Sequence, residues 1–227
     1  MASYYAGTRR GMTACGSGGD QKKKRKVVLE VTMRIDIIQF LQKEIYERCK
    51  RPENQFGMGC YDHIEAVVKN AAYLAQRMGA DQEVTVIAAW LHDIASITDY
   101  NLYELHHLHG ADIAGQLLRQ WNYEEQKIAA VQNCIRNHRG SVIHHKMTKE
   151  EVCVADADAI SHFDNVPSLL YLAFVTKKMD FKEGTEFVIG KLNRSFAKLS
   201  QESRAYYSDK YQKVMEVLGS DPTGANV

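Results

Sequence analysis

The sequence predicts an all-α domain. Three observations carry that prediction. Apolar residues recur at helical spacing from Met33 to about Gly219, polar cap residues followed three positions later by glutamate recur along the chain, and no run alternates apolar and polar residues as a strand would. Ile38, Leu41 and Ile45 share one face of a first helix. Ile64, Val67, Val68, Ala71, Leu74, Ala75 and Met78 keep the i, i+3, i+4, i+7 rule over a second. Asp81 is placed to cap a third helix from Val84 to Ile94, which is apolar nearly all round and therefore central. The pairs Asn101 and Glu104, Asn122 and Glu125, and Thr148 and Glu151 read as capping boxes for helices over about 103–120, 123–138 and 149–163. Pro167 marks a break, and helical patterns follow at about 168–178, 184–203 and 206–218. There is no internal repeat.

The ends differ from this body. Residues 1–32 combine a Gly16-Ser17-Gly18-Gly19 linker with a basic block, Lys22 to Lys26, and read as a flexible or appended tail. Residues 33–219 form the helical domain, and 220–227 read as an unstructured end. The basic block is the one feature that would bring nucleic acid to the chain, or the nucleus if it serves as an import signal. Over the whole chain 29 basic residues balance 28 acidic ones, which argues against a general nucleic-acid or membrane surface. No apolar run reaches the length of a membrane span. Five cysteines without disulfide-framework spacing predict a reduced, cytoplasmic protein. The sequence leaves the oligomeric state open.

Eight of nine histidines fall between 63 and 145 of a chain that otherwise reads as ordinary apolar helices, except His162. His63 begins the second helix, His92-Asp93 follows the apolar Ile87 to Leu91, His138 closes a later helix, and Asp158 lies within Val154 to Ile160. Each is attached to a helix whose apolar face must turn inward. Burying such groups unpaired costs several kcal/mol per charge, and a metal ion removes that cost by taking them as ligands. Imidazole and carboxylate without thiolate suits manganese, iron, cobalt, nickel or zinc at a catalytic site rather than a structural zinc.

The ordered residues His63, His92-Asp93 and Asp158 resemble the H…HD…D signature of the HD-domain superfamily of metal-dependent phosphohydrolases. Tyr61 to Glu65, Trp90 to Ile94, His106 to Ala111, Asn137 to Ser141 and Ala155 to Ala159 are similar to a small single-domain branch, so the resemblance spans roughly 34–180. It implies a compact helical bundle with the metal site at its centre. It implies His63, His92, Asp93 and Asp158 as ligands of a first divalent transition ion, with Asp93, His107 and His138 as catalytic residues. His107 and His138 would hold a second ion where two are present. His106 competes with its neighbour His107 for that place, and is otherwise a candidate for the substrate together with Arg139 and Arg136. Asp156 is a candidate partner for a histidine, Lys177 and Lys178 are weaker phosphate candidates, and His144, His145 and His162 read as incidental.

The implied reaction is hydrolysis of a phosphoester or phosphoanhydride by metal-activated water, on a nucleotide or a similar small phosphorylated metabolite. Two alternatives use the same residues. The extended ligand pattern also resembles HD-type mixed-valence di-iron oxygenases, and a non-catalytic ligand-binding module could keep the fold. None of the four core ligands is missing, which counts against the module.

Overall fold

The computed structural model describes residues 33–139 and 148–219. The N-terminal tail with its basic block, Gly140 and Ser141, His144 and His145, and the end 220–227 lie outside the described residues. Among those described the chain is helical throughout and holds no strand. The α-helices are α1 Ile35–Cys49, α2 Gly59–Met78, α3 Gln82–Leu91, α4 Ile94–Thr98, α5 His106–Gln120, α6 Glu125–Asn137, α7 Lys149–Asp164, α8 Val166–Tyr171, α9 Phe181–Lys198 and α10 Gln201–Val217. A 3-10 turn over Tyr100–Leu105 leads into α5, and a π turn over Leu172–Thr176 follows α8.

Two helices form the centre, and both are buried on nearly every side. Nine of the ten residues of α3 are buried. So are twelve of the sixteen in α7, where Ala155, Ala157 and Ala159 let neighbours approach closely. α7 packs against α2, α3, α6 and α9, and α1 covers α3 with Ile37, Leu41 and Ile45, none of them accessible. Truncating one such leucine costs about 2–5 kcal/mol. The α5–α6 contact also brings the site together. A Cβ on Gly115 would lie 2.5 Å from the Gln132 amide, so a glycine here lets the two helices meet.

Several boundaries differ from the sequence reading, each for a local reason. Asp81 and Thr148 cap as expected, accepting from the backbone N–H of Val84 and Glu151. Asn101 is not a cap, because Asp99 accepts the N–H of Asn101 and opens the 3-10 turn instead. Asn122 takes a left-handed backbone (φ 50°), turning the chain after α5, and α6 begins past Glu124. α3 ends at Leu91, three residues short of the expected Ile94. Pro167 lies in the first turn of α8, just past the break after α7 that it marks, and that helical stretch passes into the π turn instead of running on to 178. Asp180 and Ser200, two caps the periodicity did not reveal, start α9 and α10 earlier than expected, at 181 and 201.

Candidate metal centre

The break after α3 builds the site. Helical bonding stops at Leu91, Asp93 adopts φ −108° and ψ 15°, and α4 restarts at Ile94. This kink lets His92 and Asp93 turn toward one centre although consecutive helical residues diverge by about 100°. α2 contributes His63, the start of α5 contributes His106, and the end of α6 contributes His138. α7 presents Asp158, Ser161 and His162 at i, i+3 and i+4 of one face.

These side chains gather into two sets, His63–His92–Asp158 and Asp93–His106–His138, each with its nitrogen and oxygen atoms within 4.8 Å of one another. Asp93 joins them. Its Oδ2 lies 3.5 Å from His92 Nε2, while its Oδ1 lies 3.5 Å from His106 Nε2 and 3.8 Å from His138 Nε2. In the first set His63 Nε2 lies 3.4 Å from Asp158 Oδ1.

The far side of each ring fixes its tautomer. Nδ1 of His92, His106 and His138 lies 2.7, 2.7 and 2.6 Å from the carbonyl oxygens of Ala89, Tyr103 and Ile135. A carbonyl only accepts, so each Nδ1 carries the proton. Ser161 Oγ donates to the Asp158 carbonyl and therefore accepts from His63 Nδ1 at 3.0 Å. All four rings thus turn a bare Nε2 inward, the arrangement of metal-bound histidines oriented from behind.

Without a cation that arrangement is costly. His92 Nε2 is buried with no hydrogen-bond partner among the described residues. His106 and His138 bring their Nε2 atoms to 3.2 Å of each other, acceptor against acceptor. Burial first, then His92, pushes the His138 imidazole down to about 3, which disfavours a second proton on that ring. Burial alone would raise both carboxyls. The surrounding imidazoles, His92 foremost, outweigh it at Asp93, and the Lys198 ammonium does so at Asp158; both acids stay well below the usual carboxylate range. The donor set and its orphaned nitrogens fit one or two divalent transition ions.

The centre opens into a cavity of about 790 Å³. Lys191, Arg194 and Lys198, at i, i+3 and i+7 of α9, line one side with Lys177 and Arg139. Phe56, Tyr100 and Tyr103 form an aromatic wall, the two tyrosine rings stacked at 5.6 Å and Tyr103 stacked on His106 at 5.7 Å.

The structure brings His63, His92, Asp93, Asp158 and His138 together, and it corrects four other assignments. His106, not His107, faces Asp93 and His138; adjacent helical positions cannot both do so, and the Tyr103 carbonyl aims the His106 ring. Arg136 lies outside the cavity, paired with Asp112 at 3.8 Å and bonded to Asn133, while Arg139 lines it and bonds Glu104. Asp156 meets no histidine but accepts from the backbone and hydroxyl of Ser200, tying α7 to the start of α10. His162 is not incidental. It is buried, its ring is 4.8 Å from that of His63, and its Nδ1 lies 3.2 Å from Ser195 Oγ. The α9 cations leave no sign of their role in the sequence, because basic residues on an amphipathic helix look the same as a solvated face.

Residues 60–162 match the family model of the HD domain. The chain carries an HD domain. The matched span includes both ligand sets and ends before the α9 cations. Among curated proteins, the chain is similar to ribonuclease Y of Petrotoga mobilis, 29% identical over 143 residues that make up 62% of this chain and 26% of that protein. The chain thus spans about a quarter of that relative's length. Among solved structures, Bacillus subtilis YpgQ superposes with a TM-score of 0.61 at 14% identity, covering 82% of this chain and 93% of that one, and it has also been solved in complex with ADP. A predicted HD superfamily hydrolase from an uncultured Thermotogales bacterium gives a TM-score of 0.54 at 21% identity, covering 84% and 92%. These structural likenesses show a shared fold. No helix of the described residues is long and apolar enough to cross a membrane.

Proposed function

We propose that this HD domain is a metal-dependent phosphohydrolase acting on a nucleotide or a similar small phosphorylated metabolite. The observation that carries the proposal is the meeting, in one cavity, of an acceptor-rich His/Asp centre with five cationic side chains. Among the described residues, the only acids lining that cavity are Asp93 and Asp158, both within the ligand sets. A cavity of about 790 Å³ lies within the range for small-molecule sites, and its cations suit an anionic ligand. The likeness to YpgQ, which has been solved with ADP, supports a nucleotide; Phe56, Tyr100 and Tyr103 offer a base the flat apolar face it needs.

His63, His92 and Asp158 would hold one ion and His106 and His138 a second, with Asp93 shared. Bound there, divalent metal supplies charge for the phosphoryl oxygens and lowers the pKa of water. The protein does the rest. Lys191, Arg194 and Lys198 neutralise phosphate oxygens and hold the substrate over the centre. Asp93, 28% accessible, accepts a hydrogen bond from the attacking water and aligns it. Ser161 and the carbonyls of Ala89, Tyr103 and Ile135 keep the imidazoles oriented.

The test is phosphate or pyrophosphate release from nucleoside mono-, di- and triphosphates, with manganese, cobalt, zinc or iron and with a chelator. Metal-dependent release supports the reading. Release from a short oligoribonucleotide alone would move the substrate toward that of the ribonuclease Y relatives. Oxygen consumption with iron, without phosphate release, would replace hydrolysis by oxygenation.

A further inference from the structure

A second reactive feature adjoins the cavity and takes no part in the hydrolysis. Cys49 ends α1, Cys60 is the second residue of α2, and their Sγ atoms lie 3.1 Å apart. Asn54, in the intervening loop, gathers the pair: its amide donates to the Cys49 carbonyl at 2.8 Å, to the Gly57 carbonyl at 3.1 Å and to Cys60 Sγ at 3.2 Å. The two sulfurs differ in access. Cys60 is partly exposed and lines the cavity, whereas Cys49 is 2% accessible.

We propose that Cys49 and Cys60 are a peroxide-sensitive dithiol, with Cys60 the sulfur that meets the oxidant and Cys49 the one that resolves it. The first turn of a helix favours a thiolate at Cys60. The hydrogen-bonded pairing with Cys49 lowers the Cys60 thiol, as does the bond from the Asn54 amide, while the same pairing pushes Cys49 up. In the first step the Cys60 thiolate attacks a hydroperoxide. An S–O bond forms, the O–O bond breaks, sulfur loses two electrons, and the peroxide is reduced to water or an alcohol. In the second, Cys49 sulfur attacks the Cys60 sulfenic acid. The S–S bond forms, the S–O bond breaks, and the departing hydroxide takes the Cys49 proton as water. Closing the gap to the roughly 2.05 Å of a disulfide asks for about 1 Å of movement.

The experiment treats reduced full-length chain with a small excess of hydrogen peroxide, then unfolds it, alkylates it and maps its peptides. The expected result is alkylation of three of the five cysteines, with Cys49 and Cys60 peptides joined until a thiol reductant is added. In Cys49→Ser a dimedone adduct should accumulate on Cys60, and in Cys60→Ser all four remaining cysteines should alkylate. Full alkylation of the treated wild type, or a bridge to Cys15, Cys134 or Cys153, would overturn the proposal. Loss of the Cys49 thiol in Cys60→Ser would overturn the assigned order.

Discussion

Two buried polar clusters in this fold invite comparison. Around Glu83, at the start of α3, every group has its complement. The carboxylate is 2% accessible and accepts from the Arg34 backbone at 2.5 Å, the Tyr123 hydroxyl at 2.8 Å and the Lys127 ammonium at 2.7 Å. At the far end of the same helix, His92 and Asp93 join a cluster with too many acceptors, where bare imidazole nitrogens face one another and two carboxylates. The first cluster is complete within the protein and fastens α1, α3 and the start of α6. The second is complete only with a cation. The count of donors against acceptors separates structure from site, where burial alone would class them together.

Substitutions should keep the two apart. The largest effect is expected at Asp93, whose two carboxylate oxygens face the two ligand sets. Asp93→Ala should lower hydrolysis by at least about 10³-fold and reduce bound metal, with the far-ultraviolet dichroism unchanged. Metal analysis beside steady-state kinetics measures both. Glu83→Ala should do the reverse, destabilising the chain by about 3 kcal/mol in denaturant titration while turnover stays within about threefold. Burial raises the Glu83 carboxyl, but its bonds, that from Lys127 foremost, hold it below its ordinary value. Its contribution is therefore present above the unfolded value of about 4.3 and lost as pH falls through the folded one. Unfolding curves at descending pH should show that loss in wild type and not in Glu83→Ala.

A finer pair of variants sharpens the second ligand set. His106→Gln should lose about one ion per chain and about 10²-fold in rate, while His107→Gln should retain both ions, as read by elemental analysis. The smallest effect is expected behind His63. Ser161→Ala removes the acceptor of its Nδ1 proton and should weaken the first ion by about 10–100-fold in a competitive chelator titration.

The comparison also explains what the sequence disclosed. His63, His92, Asp93, His138 and Asp158 were legible because each interrupts an apolar helical face and because their order follows the HD signature. The choice between His106 and His107 was not, since it depends on where α5 starts, and the sequence signal there was the misleading Asn101. The break between Leu91 and Ile94 carries no proline or glycine to announce it. His162 offered a usable sign, its place four residues after Asp158. Lys191, Arg194 and Lys198 offered none, because only the packing of α9 against α7 turns that basic face toward the cavity.

Crystals of manganese-loaded protein, measured at the manganese absorption edge, would locate the cation that the acceptor-rich cluster calls for. The expected map has one peak among His63, His92, Asp93 and Asp158, and a second about 3.5–4 Å away beside His106 and His138. Fully loaded crystals with no anomalous density between these side chains would contradict it.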